Sequence, residues 1–323
     1  MKKLLLALPL ALAASLAPLS ASADTFPSKT VRWVVPYPAG GGSDFMARTL
    51  SIAMPGILGQ PVVVENKPGG NGAVAVADIK RAAKDGHTLL NVDNGILVFN
   101  PVLYKNLGYN PAADLRPVTL LGSLPLILVV GPGTDAKTAK EFIAQVKAQP
   151  GKFSYGSAGA GSPQHMGMEL LKVTAGLDMQ HIAYRGSAPA LGDLMGGQIP
   201  ALMTDYAAGR GAIQAGTIRA LAVASPERLS YLPNVPTFAE LGMPDMQAAA
   251  FVGVAVGAGT PDAAVLAMQK AISASLAKPE VAQKYRDIGI EPVTFTPQQF
   301  EQLVQTESAR WHKLIREQKI SLD

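Results

Sequence analysis

The stretch Val34-Val35-Pro36-Tyr37-Pro38-Ala39-Gly40-Gly41-Gly42-Ser43-Asp44 constrains this chain more than any other. Trp33, Val34 and Val35 are apolar and β-prone, and they predict a strand over 31–35. Pro36 and Pro38 end it, because proline brings no N–H to a ladder. Gly40, Gly41 and Gly42 admit positive φ and leave backbone N–H groups bare. Ser43 suits an N-cap, and Asp44 suits the positive end of the helix that follows. A strand, a glycine loop and a helix N-terminus together form an anion pocket, since several amides converge where the helix dipole favours negative charge. The usual phosphate signatures are absent, so a carboxylate is the simpler guest.

The same logic returns at Phe153-Ser154-Tyr155-Gly156-Ser157-Ala158-Gly159-Ala160-Gly161-Ser162-Pro163-Gln164-His165. A strand leads into a Gly/Ser/Ala loop, and Pro163 sits in the first turn of a helix. Two such loops in separate domains, facing each other across a cleft, would hold a small acid between two sets of amides. Elsewhere strand and helix alternate, which argues for parallel-rich sheets covered by helices. Strands are expected at 62–64, 89–92, 126–130, 181–184, 201–206, 218–224 and 251–256. Asn94 follows the 89–92 strand, at the carboxyl end where open α/β sheets place their ligands. Thr260-Pro261 is expected to cap and open one helix. Thr296 and Gln299 have capping-box spacing before a long amphipathic helix. At 323 residues there is room for two domains. The division expected is 24–124 plus 228–323 for the first and 125–227 for the second.

Residues 1–23 read as a secretory leader: Lys2 and Lys3 precede an apolar run from Leu4 to Leu16, and Ala21-Ser22-Ala23 is a small-residue cleavage site. The cut is expected after Ala23, and the mature chain is expected in the periplasm. Without Lys2 and Lys3 the formal charge drops from +4 to +2. No basic–aromatic run suggests nucleic acid as a partner. Cysteine is absent, which removes disulfides, thiolate catalysis and thiolate metal sites. The four histidines are scattered, no G-x-S-x-G elbow is present, and no metal-spaced cluster stands out. No catalytic residue, metal or cofactor is expected. Gly131-Pro132-Gly133-Thr134-Asp135-Ala136-Lys137-Thr138 imitates a phosphate loop, but Ala136 stands where such a loop needs glycine before its lysine.

Taken together, Pro36 to Asp44, Gln60 to Gly69, Asp85 to Leu90, Ser154 to Gly159, His181 to Ala190 and Pro233 to Thr237 resemble the Bug family, the periplasmic receptors of tripartite tricarboxylate transporters. The match keeps its order through nearly the whole mature chain. The resemblance implies a two-lobe α/β periplasmic binding protein of type II-like architecture, each lobe a mixed sheet flanked by helices, with crossing strands between lobes and the ligand in the cleft. It implies a monomer that captures a di- or tricarboxylate or an aromatic acid and delivers it to integral-membrane permease subunits. The candidate ligand-binding residues are Tyr37, Gly40, Gly41, Gly42, Ser43, Asp44, Asn94, Ser157, Ala158, Gly159, Ser162, Tyr184, Gly186 and Asp205.

Several roles stay open at this level. Asp44 is either a helix-turn residue or a contact made through backbone, water or a ligand amino group, because its carboxylate repels an acid. Ser157 and Ser162 shape the loop or touch solute, and His165, Arg185 and Phe251 are unassigned. An exported hydrolase, a sensor component feeding a kinase, and a receptor for a neutral amide or amino acid are the rival functions.

Overall fold

A computed structural model describes residues 26–322. The leader expected at 1–23 lies outside the described residues. In chain order the strands are β1 (Val31–Val35), β2 (Val62–Asn66), β3 (Thr88–Asp93), β4 (Leu115–Pro125), β5 (Ile127–Val130), β6 (Phe153–Ser157), β7 (Met179–Ala183), β8 (Ala201–Thr204), β9 (Arg219–Val223), β10 (Ala249–Gly257) and β11 (Glu291–Pro292). They form two sheets, with orders β11-β4-β10-β3-β1-β2 and β7-β6-β8-β5-β9. The fold is the expected two-lobe α/β architecture with a mixed sheet in each lobe.

The central strands form where apolar, β-prone residues cluster. Val31, Trp33, Val34 and Val35 are fully buried, as befits a strand covered on both faces. Val31, Trp33 and Val35 enter one core with helix Gly42–Ala53 and helix Asp262–Leu276, while Val34 enters the core on the opposite face. That second core continues into the other lobe through Leu128, Phe142, Tyr155 and Met168. A third, smaller core covers the outer face of the second sheet.

Each sheet has one point where parallel neighbours lie on both sides of a strand. β1 pairs in parallel with β2 and with β3, and β6 pairs in parallel with β7 and with β8. At such a point the following loops diverge and leave a crevice beyond the carboxyl ends of the strands. Both glycine loops, and the segments that begin at Asp93 and Thr204, leave their sheets at these crevices.

The lobes are joined through β4–β5 and through the chain entering β10. Leu126 N donates to Ala248 O at 2.9 Å, Ala248 N to Ala224 O at 2.9 Å, and Ala224 N to Leu126 O at 2.8 Å. Residues 228–248 run along the second sheet: Val223 N donates to Pro236 O at 2.9 Å and Phe238 N to Val223 O at 3.0 Å.

Two caps differ from expectation. The N-cap of helix Gly42–Ala53 is Gly41, two residues before the expected Ser43, so Ser43 lies inside the first turn. Ser43 is occupied instead by Asn91, whose Nδ2 donates to both Ser43 Oγ and Ser43 O at 2.9 Å. Helix Asp262–Leu276 has Pro261 as N-cap without a side-chain bond, and the Thr260 hydroxyl donates back to Gly257 O at 2.8 Å. The capping box of Thr296 and Gln299 forms as expected, at 3.2 and 2.9 Å, on helix Pro297–Glu317.

That last helix lies close against β10. A Cβ at Gly253 would fall 2.3 Å from the Phe300 ring and 2.9 Å from Thr119 O. Gly253→Ala is therefore expected to lower stability by about 1–3 kcal/mol through overpacking, read as a lower urea midpoint. Adding Phe300→Leu is expected to recover part of the loss.

Candidate functional site

The first crevice is built by β1 and β3. Tyr37, just past β1, donates its hydroxyl to Asp93 at the end of β3 in a short hydrogen bond. Asp93 Oδ1 also accepts from Ile96 N at 3.0 Å and so caps the turn that follows β3. Burial raises the Asp93 carboxyl above its usual range, against the pull of Tyr37 and the Ile96 and Gly95 amides. The Tyr37 hydroxyl is pushed far up, by burial first and then by the Asp93 charge. Asn94 is fully buried. Its Nδ2 donates to Ala249 O at 3.2 Å and its Oδ1 accepts from Phe251 N at 2.7 Å, so it ties β3 to the start of β10. Phe251 is buried with its ring edge-on to Phe300, centroids 5.9 Å apart.

Asp44 is 3% exposed and committed inside its own lobe. It accepts from Arg48 Nε at 2.9 Å, from Asn66 Nδ2 at 2.8 Å and from Gly40 N at 2.9 Å. Burial acts to raise its carboxyl, but these donors outweigh it and hold it below the usual range. Asp44 thus takes the amide of Gly40 and neutralises Arg48. The amides of Gly41, Gly42, Ser43 and Asp44 have no acceptor among the described residues. Gly41 lies at φ −83°, and a Cβ on Gly41 or Gly42 would meet nothing within 4 Å.

The second crevice lies beyond β6 and β8. Ser157 is 1% exposed. Its Oγ donates to Gly159 O at 3.0 Å, accepts from Gly159 N at 3.2 Å and lies 2.7 Å from His181 Nε2. Ser162 caps helix Pro163–Ala175 by accepting from His165 N at 3.2 Å. Asp205 caps helix Tyr206–Gln214 by accepting from Ala208 N at 3.0 Å, and receives Gln164 Nε2 at 3.4 Å. Burial raises its carboxyl despite these donors. Tyr184 donates to Asp193 at 2.7 Å. Arg185 is exposed. Gly186, at φ +123°, is the N-cap of helix Ser187–Met195 and offers no side chain to it.

A small cavity here is lined by Ser157, Ala158, Gln164, Ser187, Leu202 and Thr204, among others. The Ala158 amide and the first-turn amides Ser187 and Ala188 have no acceptor among the described residues. Gln164, Ser187, Ala188, Thr204 and, in the first crevice, Asp93 were outside the expected set. Ser187 and Asp93 stand directly beside Gly186 and Asn94. Gln164 and Thr204 are distinguished only by the way their elements cross.

Ser157 beside His181 imitates a nucleophile and its base. The serine is enclosed and already bonded within its loop. The His181 ring is held down to about 4, by burial first and by Lys172, against the pull of Glu169, so it is a weak base. No carboxylate bonds to the His181 ring among the described residues. Among the described residues no three His, Asp or Glu gather as metal ligands.

The family described as "Tripartite tricarboxylate transporter family receptor" (TctC) matches residues 46–320. Protein BugT of Bordetella pertussis is 35% identical over 297 residues, covering 92% of this chain and 91% of BugT. Rpa4515 of R. palustris, solved with adipate, superposes with a TM-score of 0.84 at 32% identity, over 90% of this chain and 97% of that one. MatC (Rpa3494) of Rhodopseudomonas palustris, solved with bound malate, gives 0.80 at 31% identity, over 90% of this chain and 100% of that one. With two lobes, two glycine loops and these relatives, the chain belongs to the TctC, or Bug, family of periplasmic tripartite tricarboxylate transporter receptors.

Proposed function

We propose that this protein captures a small carboxylate between its lobes, mainly through main-chain amides. The observation that carries the reading is one of division. At each crevice the acidic side chains and the loop serines Ser157 and Ser162 are bonded inside their own lobe, while amides at two helix N-termini without side-chain caps, and that of Ala158 in the second glycine loop, are unmatched among the described residues. In the first lobe these donors are Gly41, Gly42, Ser43 and Asp44; in the second they are Ala158, Ser187 and Ala188. Their dipoles favour an anion. Tyr37, Asn94, Tyr184, Gly186, Gly159, Ser162 and Asp205 shape the pocket walls in this reading.

The relatives solved with adipate and malate support a dicarboxylate guest. Hydrogen bonds to a charged group contribute about 1.5–3 kcal/mol each. Three or four, less the cost of ordering, reach about 8 kcal/mol, or micromolar affinity. The loaded receptor, acting as a monomer, then docks on the permease subunits of a tripartite transporter. In this reading the lobes divide near the expected 124/125, and the second division moves from the expected 227/228 to the start of β10, because residues 228–248 run along the second sheet. The leader is cut after Ala23, and the mature protein works in the periplasm.

Three outcomes are expected. Calorimetry with adipate, malate, citrate and benzoate should find at least one acid binding below about 1 mM; if none does, the carboxylate assignment is wrong. Gly41→Val fits the observed φ and open space, so its melting temperature should stay near that of the parent, while affinity for the best acid drops more than about tenfold because the branched side chain blocks approach to the amides. Unchanged affinity would move the site elsewhere. N-terminal sequencing of protein from the periplasmic fraction should begin at Asp24.

A further inference from the structure

Behind the second glycine loop lies a buried aromatic stack that the carboxylate reading does not use. The rings of His165 and His181 lie parallel, centroids 3.8 Å apart and 11° between planes. Tyr155 continues the stack on His181 at 5.0 Å. Each histidine holds one residue of the loop. His165 Nδ1 accepts from Gly161 N at 3.1 Å, and His181 Nε2 meets Ser157 Oγ at 2.7 Å. Ser157 in turn binds Gly159 through both its N–H and its carbonyl. Ala158, whose amide is unmatched beside the cavity, is therefore held between Ser157, which meets His181, and Gly159, which Ser157 fixes. The far end of the loop is fixed by His165.

We infer that His165 and His181 form a positioning pair that sets the second glycine loop for its ligand, acting while both rings are neutral. The inference rests on the carboxylate reading. An Nδ1 that accepts an N–H cannot carry a proton, so His165 is the Nε2–H tautomer. A proton on Nδ1 would remove the acceptor of Gly161 and place a charge against its stacked neighbour.

The groups facing the pair are Tyr155 from β6 and Glu169 and Lys172 from helix Pro163–Ala175. Tyr155 donates to Glu169 in a short bond, and Lys172 pairs with Glu169 at 2.7 Å. The Glu169 charge pulls toward a protonated His181, but burial and the Lys172 charge outweigh it. Burial holds His165 down to about 3, helped by the charges of His181 and Lys172. In the unfolded chain both histidines titrate near 6.5. Between about pH 6.5 and 4 the unfolded state thus binds more protons, and stability falls as pH falls through that window.

The test uses the mature protein with adipate and malate as probes at pH 7.5. Asparagine offers an acceptor oxygen near the place of Nδ1, and leucine offers none. His165→Leu should weaken binding of the better probe about tenfold or more, while His165→Asn stays within about threefold. In ligand-free protein the Gly161 amide proton should be shifted downfield in the parent and in His165→Asn, and should lose that shift in His165→Leu. Across pH 7.5 to 4.5 the melting temperature should fall less in His165→Asn than in the parent. The inference is overturned if His165→Leu binds as the parent does, or if His165→Asn falls as far as His165→Leu. It is equally overturned if the Gly161 shift survives in His165→Leu. If neither probe binds the parent protein, the choice of guest has failed, and the Gly161 shift still decides whether the pair positions the loop.

Discussion

A polar group taken out of water must find a partner, and this constraint organises both lobes. Leaving one unpaired typically costs about 1–3 kcal/mol. At the carboxyl ends of the two sheets the chain meets this demand locally. Asp44 is served by Arg48, Asn66 and Gly40, Asp93 by Tyr37 and Ile96, and Asp205 by Ala208 and Gln164. What remains unserved is main chain at helix starts. Such donors carry no formal charge and keep no counterion, so an anion entering there displaces little that was already bound. The acidic side chains around the site do not oppose that arrangement, since each is occupied or held back by burial.

Much of this is legible in the sequence itself. The glycine loops, their helix starts and the alternation of strand and helix follow from proline, glycine and β-branched residues acting over a few positions. The roles of the serines were less visible, because a hydroxyl serves equally as cap, loop brace or ligand contact. Ser43 has the composition of a cap yet is claimed by Asn91, 48 positions away. Ser157 braces its loop because His181 arrives on a neighbouring strand. His165 lacks distinction in a linear reading, and only the stacking of two helical and strand positions gives it a function. Asn94 is marked in the sequence only by its place at a strand end, and its side chain is spent on β10, 155 positions onward. Long-range pairings of this kind have no local signature, and they account for most of what the sequence left open.

Binding between the lobes, as proposed, requires movement at the joining segments. There the backbone bonds among Leu126, Ala224 and Ala248 connect residues without branching at Cβ, with Asn94 fastening one edge. A ligand shifts such a protein toward the closed arrangement only by the contacts it gains there. In the proposed reading, amides divided between the two lobes supply that difference. Tyr231 adds a direct tie across the lobes by donating to Gly289 O at 3.0 Å.

The placement of β10 reaches beyond binding. It lies inside the first sheet, between β4 and β3, although it is made after the whole second lobe. The first sheet therefore stays split until residue 257 has left the ribosome, whereas every strand of the second is present by residue 223. Late closure of distant contacts slows folding. For the export proposed above, delayed completion of the larger sheet keeps the chain in a form that can still be threaded through a membrane.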